Sequence, residues 1–204
     1  MEKMTTNTDI SELVCTRISH DIIGNIGAVA NAVELLEEGD MEFMDDIRSI
    51  LKTSSGVLSA RLKFFRMAFG LNNANLEQLD LVKNNSGDYL KTIGSANYPI
   101  TLGFGLKSWQ LAKIAMLGIM IVADTFIKGG RLEVREEADR LSVSGRSEFM
   151  LSKEKISVIK DIFQNGLTEA PAQYAPVFYL QELLKNIKLN VEISDNDGFS
   201  LIIK

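Results

Sequence analysis

His20-Asp-Ile-Ile-Gly24-Asn-Ile-Gly27-Ala-Val-Ala-Asn31-Ala-Val-Glu-Leu-Leu36 holds the sole histidine of a 204-residue chain, with an acidic residue directly after it. In and just before this stretch apolar side chains recur at Cys15, Ile18, Ile22, Ile26, Val29, Val33 and Leu36, in steps of three and four. That is the stripe of an amphipathic helix with the near-heptad spacing of a helical seam, and it assigns Cys15 to the core. At roughly 100° per residue, His20 falls about 160° from the centre of the stripe and so faces away from the core. Gly24, Gly27 and Asn31 share its face. Two glycines inside a helix cost about 1 kcal/mol each relative to alanine, so something is expected to come close there. It is either another helix of the same protein or a partner that brings its own reactive group to the imidazole.

Asp9 is positioned to cap this helix, with Glu12 completing a capping box, and the pattern extends to about Glu38. Gly39-Asp40 then supplies a helix stop and a fresh N-cap together, as a tight helical hairpin requires. The second helix carries Ile47, Leu51, Ser54, Leu58, Leu62, Phe65 and Phe69 on one face and ends at Gly70. Thr53-Ser54-Ser55-Gly56 reads as a turn in isolation. The apolar period resumes in phase on both sides of it, so the helix is expected to run through. A turn at Gly39-Asp40 sets His20 level with Ser59, and Gly24 level with Ser55 and Gly56. Arg48, Lys52, Lys63 and Arg66 mark the outer face, either a solvated stripe or one that attracts an acidic surface. One hairpin cannot bury two wide apolar stripes, whereas two copies paired as a four-helix bundle can, which predicts a homodimer.

Apolar residues make up 46% of the chain, enough for a sizeable core, and three prolines argue against long disordered linkers. A formal charge of -5 argues against general nucleic-acid binding. The single cysteine excludes an internal disulfide and a Cys-rich zinc site. The first residues, Met-Glu-Lys-Met-Thr-Thr-Asn-Thr, are no signal peptide. The longest apolar run, Ile114 to Ala123, is too short to span a bilayer, so a cytoplasmic protein without a membrane partner is expected.

Residues 1–71 therefore read as a helical-hairpin domain, and residues 72–204 mix both periods. Strand-like stretches fall at Leu79–Val82, Pro99–Leu102, Arg131–Arg135, Leu141–Ser144, Leu189–Ile193 and Ser200–Ile203. Helical stretches fall at Asp88–Ile93, Ser108–Ile127, Lys153–Asn165 and Ala172–Lys188. The fold class expected is α+β, a hairpin followed by a two-layer α/β sandwich. Asp195-Asn-Asp-Gly198 lacks the glutamate of a calcium loop and suits a hairpin turn between the last two strands. Gly103-Phe-Gly-Leu-Lys-Ser108 has the wrong spacing for a phosphate loop.

His20-Asp21, followed by Gly27-Ala28 and Glu34-Leu35-Leu36, resembles the phospho-acceptor box of ChpT-type histidine phosphotransferases of alphaproteobacteria. Ala60-Arg-Leu-Lys-Phe-Phe-Arg-Met-Ala-Phe-Gly70 resembles the end of the second helix in that family. Gly24-Asn25 stands where many members have Ser-Pro, so no proline kink is expected. The order of the later elements resembles the ATP-binding domain of histidine kinases. Gly118 and Val122 fall where the kinase asparagines would, and Gly145-Arg146-Ser147 replaces the Asp-x-Gly-x-Gly loop. Nothing is then left to hold magnesium between nucleotide phosphates, and no bound cofactor is expected.

The resemblance implies a dimeric phosphotransferase. The receiver domain of a hybrid histidine kinase would pass a phosphoryl group to His20, and a response-regulator receiver would take it away. Magnesium would arrive with the receiver. Asp21 is the residue expected to orient the ring or accept its other proton. Arg17, Ile23, Gly24, Gly27, Ala28, Asn31, Gly56, Ser59 and Lys63 form the candidate docking face. Two other readings are an active histidine kinase with a divergent nucleotide site and a non-catalytic dimeric receiver-binding module in which His20 is incidental.

Overall fold

Helix α1 (Asn7–Glu38) runs unbroken through Gly24-Asn25, and helix α2 (Met44–Ala68) runs unbroken through Thr53-Ser54-Ser55-Gly56. The computed structural model describes residues 7–38, 43–71, 74–138, 140–167, 169–195 and 198–204. The Gly39-Asp40 turn lies outside the described residues. Asp9 falls inside the first turn of α1 and not in front of it, within the usual uncertainty of a helix end. Gly70 follows the Phe69 C-cap of α2 at a point where a Cβ would collide with the Arg66 carbonyl. Its own carbonyl accepts from Lys113 Nζ at 2.6 Å.

Helix α2 begins at Met44 with Phe43, and not Asp40, as its N-cap. The Arg61 guanidinium donates to the Asp21 carbonyl.

Burial along the hairpin is uneven. Phe64, Phe65, Met67 and Ala68 are buried, with Phe64 stacked on Tyr89 at 4.0 Å between centroids and Phe69 edge-on to Tyr179. Leu13, Ile18 and Ile22 of α1 pack against this same core. Further along, Ile26, Val33 and Leu36 of α1 and Ile50 and Leu62 of α2 are exposed. Cys15, expected in the core, is exposed. The buried neighbour is Arg17, which lies about 200° round the helix from Cys15. At this height α1 turns Arg17 inward beside Ile18 and Ile22, and the Cys15 edge of the stripe faces outward.

After the hairpin come α3 (Leu79–Lys91), β1 (Ile100–Gly105), α4 (Ala112–Ala123), β2 (Gly130–Glu137), β3 (Arg140–Arg146), α5 (Lys153–Gln164), α6 (Ala175–Ile187), β4 (Val191–Ser194) and β5 (Phe199–Ile203). The sheet order is β1-β2-β3-β5-β4, parallel between β1 and β2 and antiparallel elsewhere. Alternate residues of β3 (Leu141, Val143, Gly145) and β5 (Phe199, Leu201, Ile203) are buried, so the sheet is covered on one face. The apolar run is α4, which is buried on every side as the central helix of the core. Ser152 caps α5 by accepting from the Lys155 amide at 3.3 Å, and Pro176 stands in the first turn of α6. The fold is α+β. Leu79–Val82, expected as a strand, is the first turn of α3. Two of the five buried residues of α3 are polar, Asn85 and Ser86, which conceals its helical period.

Candidate functional site

His20 sits on α1 with its side chain 86% exposed. Asp21, one residue further round the helix, is turned inward and only 16% exposed. Its Oδ1 lies 3.6 Å from His20 Nδ1, and its Oδ2 accepts from Arg17 Nε at 2.8 Å. Arg17 stands one turn earlier on the same helix. Its Nη1 donates to the Gln173 carbonyl at 2.7 Å, and its two terminal nitrogens meet both Asp124 oxygens at 3.0 Å. Asp124 directly follows α4, and its own carbonyl accepts from Lys155 Nζ at 2.8 Å. On the other side, Arg61 of α2 bridges the Asp21 carbonyl to Thr92 at the end of α3. Asp21 is thus tied, directly or through one side chain, to α2, α3, α4 and the turn before α6.

This arrangement removes Arg17 from the docking face. Its side chain is 10% exposed and fully engaged with Asp21, Asp124 and Gln173. Burial alone would lower the Arg17 pKa, but the opposing Asp124 and Asp21 carboxylates reverse this, and the net shift is upward. Burial pushes the Asp124 carboxyl up, with Arg17 and then Lys155 pulling against it.

Other candidates stand where a visitor could reach them. Ile23 is 63% exposed, and Gly24, Gly27, Asn31, Gly56, Ser59 and Lys63 are exposed with Ala28 half-buried. A Cβ built on Gly24, Gly27 or Gly56 would meet nothing within 4 Å. No close approach within the described chain therefore accounts for these glycines. Beside His20 a cleft of about 400 Å³ opens between α1 and the α/β layer, lined among others by Thr16, Asp21, Asp124, Lys155 and Tyr174.

Asp124 and Lys155 were not singled out from sequence. A signal existed for Asp124. A carboxylate at the C-terminus of an apolar helix opposes the helix dipole and calls for a cationic partner.

The positions that resemble a kinase nucleotide site are internal packing positions here. A Cβ on Gly118 would lie 2.9 Å from Val143 Cγ2, and one on Gly145 would lie 2.6 Å from Val122 Cγ1. These residues let α4 lie close on β3. Gly103–Gly105 belongs to β1, and the following amides of Lys107 and Ser108 donate to Glu136 Oε2 at 2.5 and 2.8 Å. Asp195 accepts from Lys160 Nζ at 2.6 Å, β4 and β5 pair antiparallel on either side of it, and Asn196-Asp197 lie outside the described residues. Among the described residues no group of three His, Cys, Asp or Glu could hold a metal ion, and no helix is long and apolar enough to cross a membrane.

No family model matches the chain. A stretch of 72 residues is 44% identical to the protein phosphotransferase ChpT of Brucella abortus (strain 2308), covering 35% of this chain and 34% of that one. The match thus spans about a third of the length of this relative. The whole fold is similar to the solved structure of a bacterial phosphotransferase, with a TM-score of 0.80, 24% identity and 98% of each chain covered. A blue-light activated histidine kinase of Erythrobacter litoralis superposes with a TM-score of 0.43 and 12% identity over 100% of this chain and 61% of that one, too slight a likeness to build on.

Proposed function

We propose that this chain is the histidine phosphotransferase of a cytoplasmic phosphorelay and works as a homodimer. The donor is the aspartyl phosphate of a hybrid kinase's receiver domain, and the acceptor is the aspartate of a response-regulator receiver. The observation that carries this reading is the sole imidazole, exposed on a bare helix face with an anchored carboxylate at its Nδ1. Sequence similarity to a ChpT phosphotransferase and likeness in fold to a bacterial phosphotransferase support it.

The chemistry follows from that geometry. With Nδ1 towards Asp21, the lone pair of Nε2 points outward as the nucleophile. It attacks the phosphorus, the bond from phosphorus to the donor carboxylate oxygen breaks, and the carboxylate leaves with its electron pair. The ring becomes a phosphorylated imidazolium whose Nδ1–H faces Asp21, and the carboxylate stabilises that charge. At 3.6 Å the contact is longer than a hydrogen bond, the looseness common before a partner binds. Transfer to the second receiver reverses each step. Asp21 is already engaged with Arg17, so the acidic set that binds magnesium is expected on the receiver, and no step here uses a metal held by this chain.

The uncovered Ile26, Val33, Leu36 and Leu62 support pairing of two hairpins. The inward packing of Gly118 and Val122 argues against nucleotide binding. The test is to incubate the full chain with a receiver carrying a radiolabelled phosphoryl group, and separately with labelled ATP and magnesium. Acid-labile label from the receiver, absent in His20→Gln, supports the reading. Label from ATP would establish a kinase, and receiver binding without transfer would leave a non-catalytic module.

A further inference from the structure

Asp21 does not hold its own position. Its Oδ2 is held by Arg17, and Arg17 is itself held by groups from the far end of the chain. We propose that Arg17 is the positioning residue of the His20 site, and that through it the α/β layer sets the tautomer of the imidazole. The proposal rests on the reading of His20 as the phosphoryl acceptor.

A guanidinium is a rigid fork with five N–H donors. Nε is spent on Asp21 Oδ2, Nη1 on the Gln173 carbonyl and Asp124 Oδ2, and Nη2 on Asp124 Oδ1. The plane of the fork is therefore fixed by two groups of the α/β layer, and Asp21 must lie where Nε points. With Oδ2 taken, Oδ1 is the oxygen left towards His20 Nδ1. An acceptor at Nδ1 favours the Nδ1–H tautomer and leaves the Nε2 lone pair outward. The same anchoring would be lost by an unheld carboxylate on a surface helix, which rotates among several rotamers. Asp124 is in turn steadied by Lys155 of α5, which ties its carbonyl. The hairpin carries the reactive ring, and the second layer aims it.

The sole histidine makes this measurable, because the imidazole nitrogens of the 15N-labelled chain come from one residue. At a pH where the ring is neutral, the wild type should show mainly the Nδ1–H pattern. Arg17→Gln and Asp124→Asn should move the signals towards the Nε2–H mixture of an unconstrained imidazole. Both should also slow labelling of His20 by phosphoramidate, in which the donor N–P bond breaks, ammonia leaves and the His20 N–P bond forms, by about tenfold. Arg17→Lys keeps the charge without the fork and should restore part of both effects. Circular dichroism and the thermal midpoint identify the folded variants. Asp124→Asn preserves shape and decides the matter if Arg17→Gln does not fold. Unchanged ring signals and labelling in a folded variant would overturn the proposal, whatever happened to stability. A wild type that phosphoramidate does not label would count against the phosphotransferase reading instead, and the tautomer pattern would still decide the role of Arg17.

Discussion

Phosphoryl transfer to an imidazole requires reacting atoms about 3–3.5 Å apart before reaction, so every side chain near Nε2 is an obstacle. Gly24 and Gly27 have open space where a Cβ would stand. Gly24→Leu or Gly27→Leu should leave the thermal midpoint unchanged or raise it, since leucine is the better helix former by ~0.8 kcal/mol. The same changes should slow transfer from a phosphorylated receiver at least about tenfold. Lower stability with normal transfer per folded molecule would mean that the glycines serve packing against a partner chain. A second residue-scale expectation concerns Tyr89. Burial first, and the negative charge of Asp124 next, push its phenol well up, with Arg17 pulling against them. The neutral form belongs to the fold, while the unfolded chain ionises near ~10. Stability from Tyr89 is thus complete below that pH and is lost as pH climbs towards the higher folded value. Thermal midpoints above it should fall less steeply in Tyr89→Phe than in wild type, and equal slopes would remove Tyr89 from the alkaline transition. The exposure of His20 was legible from helix period alone. The engagement of Arg17 was not, because Asp124 and Gln173 lie 107 and 156 positions away.

The hairpin shows what periodicity can and cannot separate. Leu62 and Phe65 share one stripe of α2 and read as equals in sequence. In the fold Phe65 is buried against Phe64 and Tyr89, while Leu62 is 48% exposed. Leu62→Asp should keep the chain folded and weaken self-association by about 100-fold, read by sedimentation at micromolar protein, because a charge is forced into an apolar contact. Phe65→Asp should instead unfold the chain, at a cost of at least about 3 kcal/mol. A wild type that sediments as a monomer would defeat the paired hairpin. The C-terminal ends of α1 and α2 and the continuity through Gly56 were legible because those signals are local, whereas the N-caps were not, since α1 starts before Asp9 and Phe43 precedes α2. The start of α3 was not, because Asn85 and Ser86 occupy buried positions where a sequence pattern looks for apolar residues.

Across the whole molecule, the order of hairpin and α/β layer could be read from sequence because most elements other than α3 keep their own period. The contact between the two layers could not, since it depends on polar groups that meet only after folding. Those groups make the second layer part of the site and not merely its neighbour. The phosphoryl group should pass through His20 on its way between two receivers. This route is tested most directly by rapid-quench transfer from a radiolabelled donor receiver to an unlabelled acceptor receiver, both drawn from the chain's own genome, with catalytic amounts of the chain. Label should rise on His20 before it rises on the acceptor, decay as the acceptor fills, and reach neither when His20→Gln replaces the wild type. An acceptor that fills at the same rate with His20→Gln, or before any label reaches His20, would contradict this route.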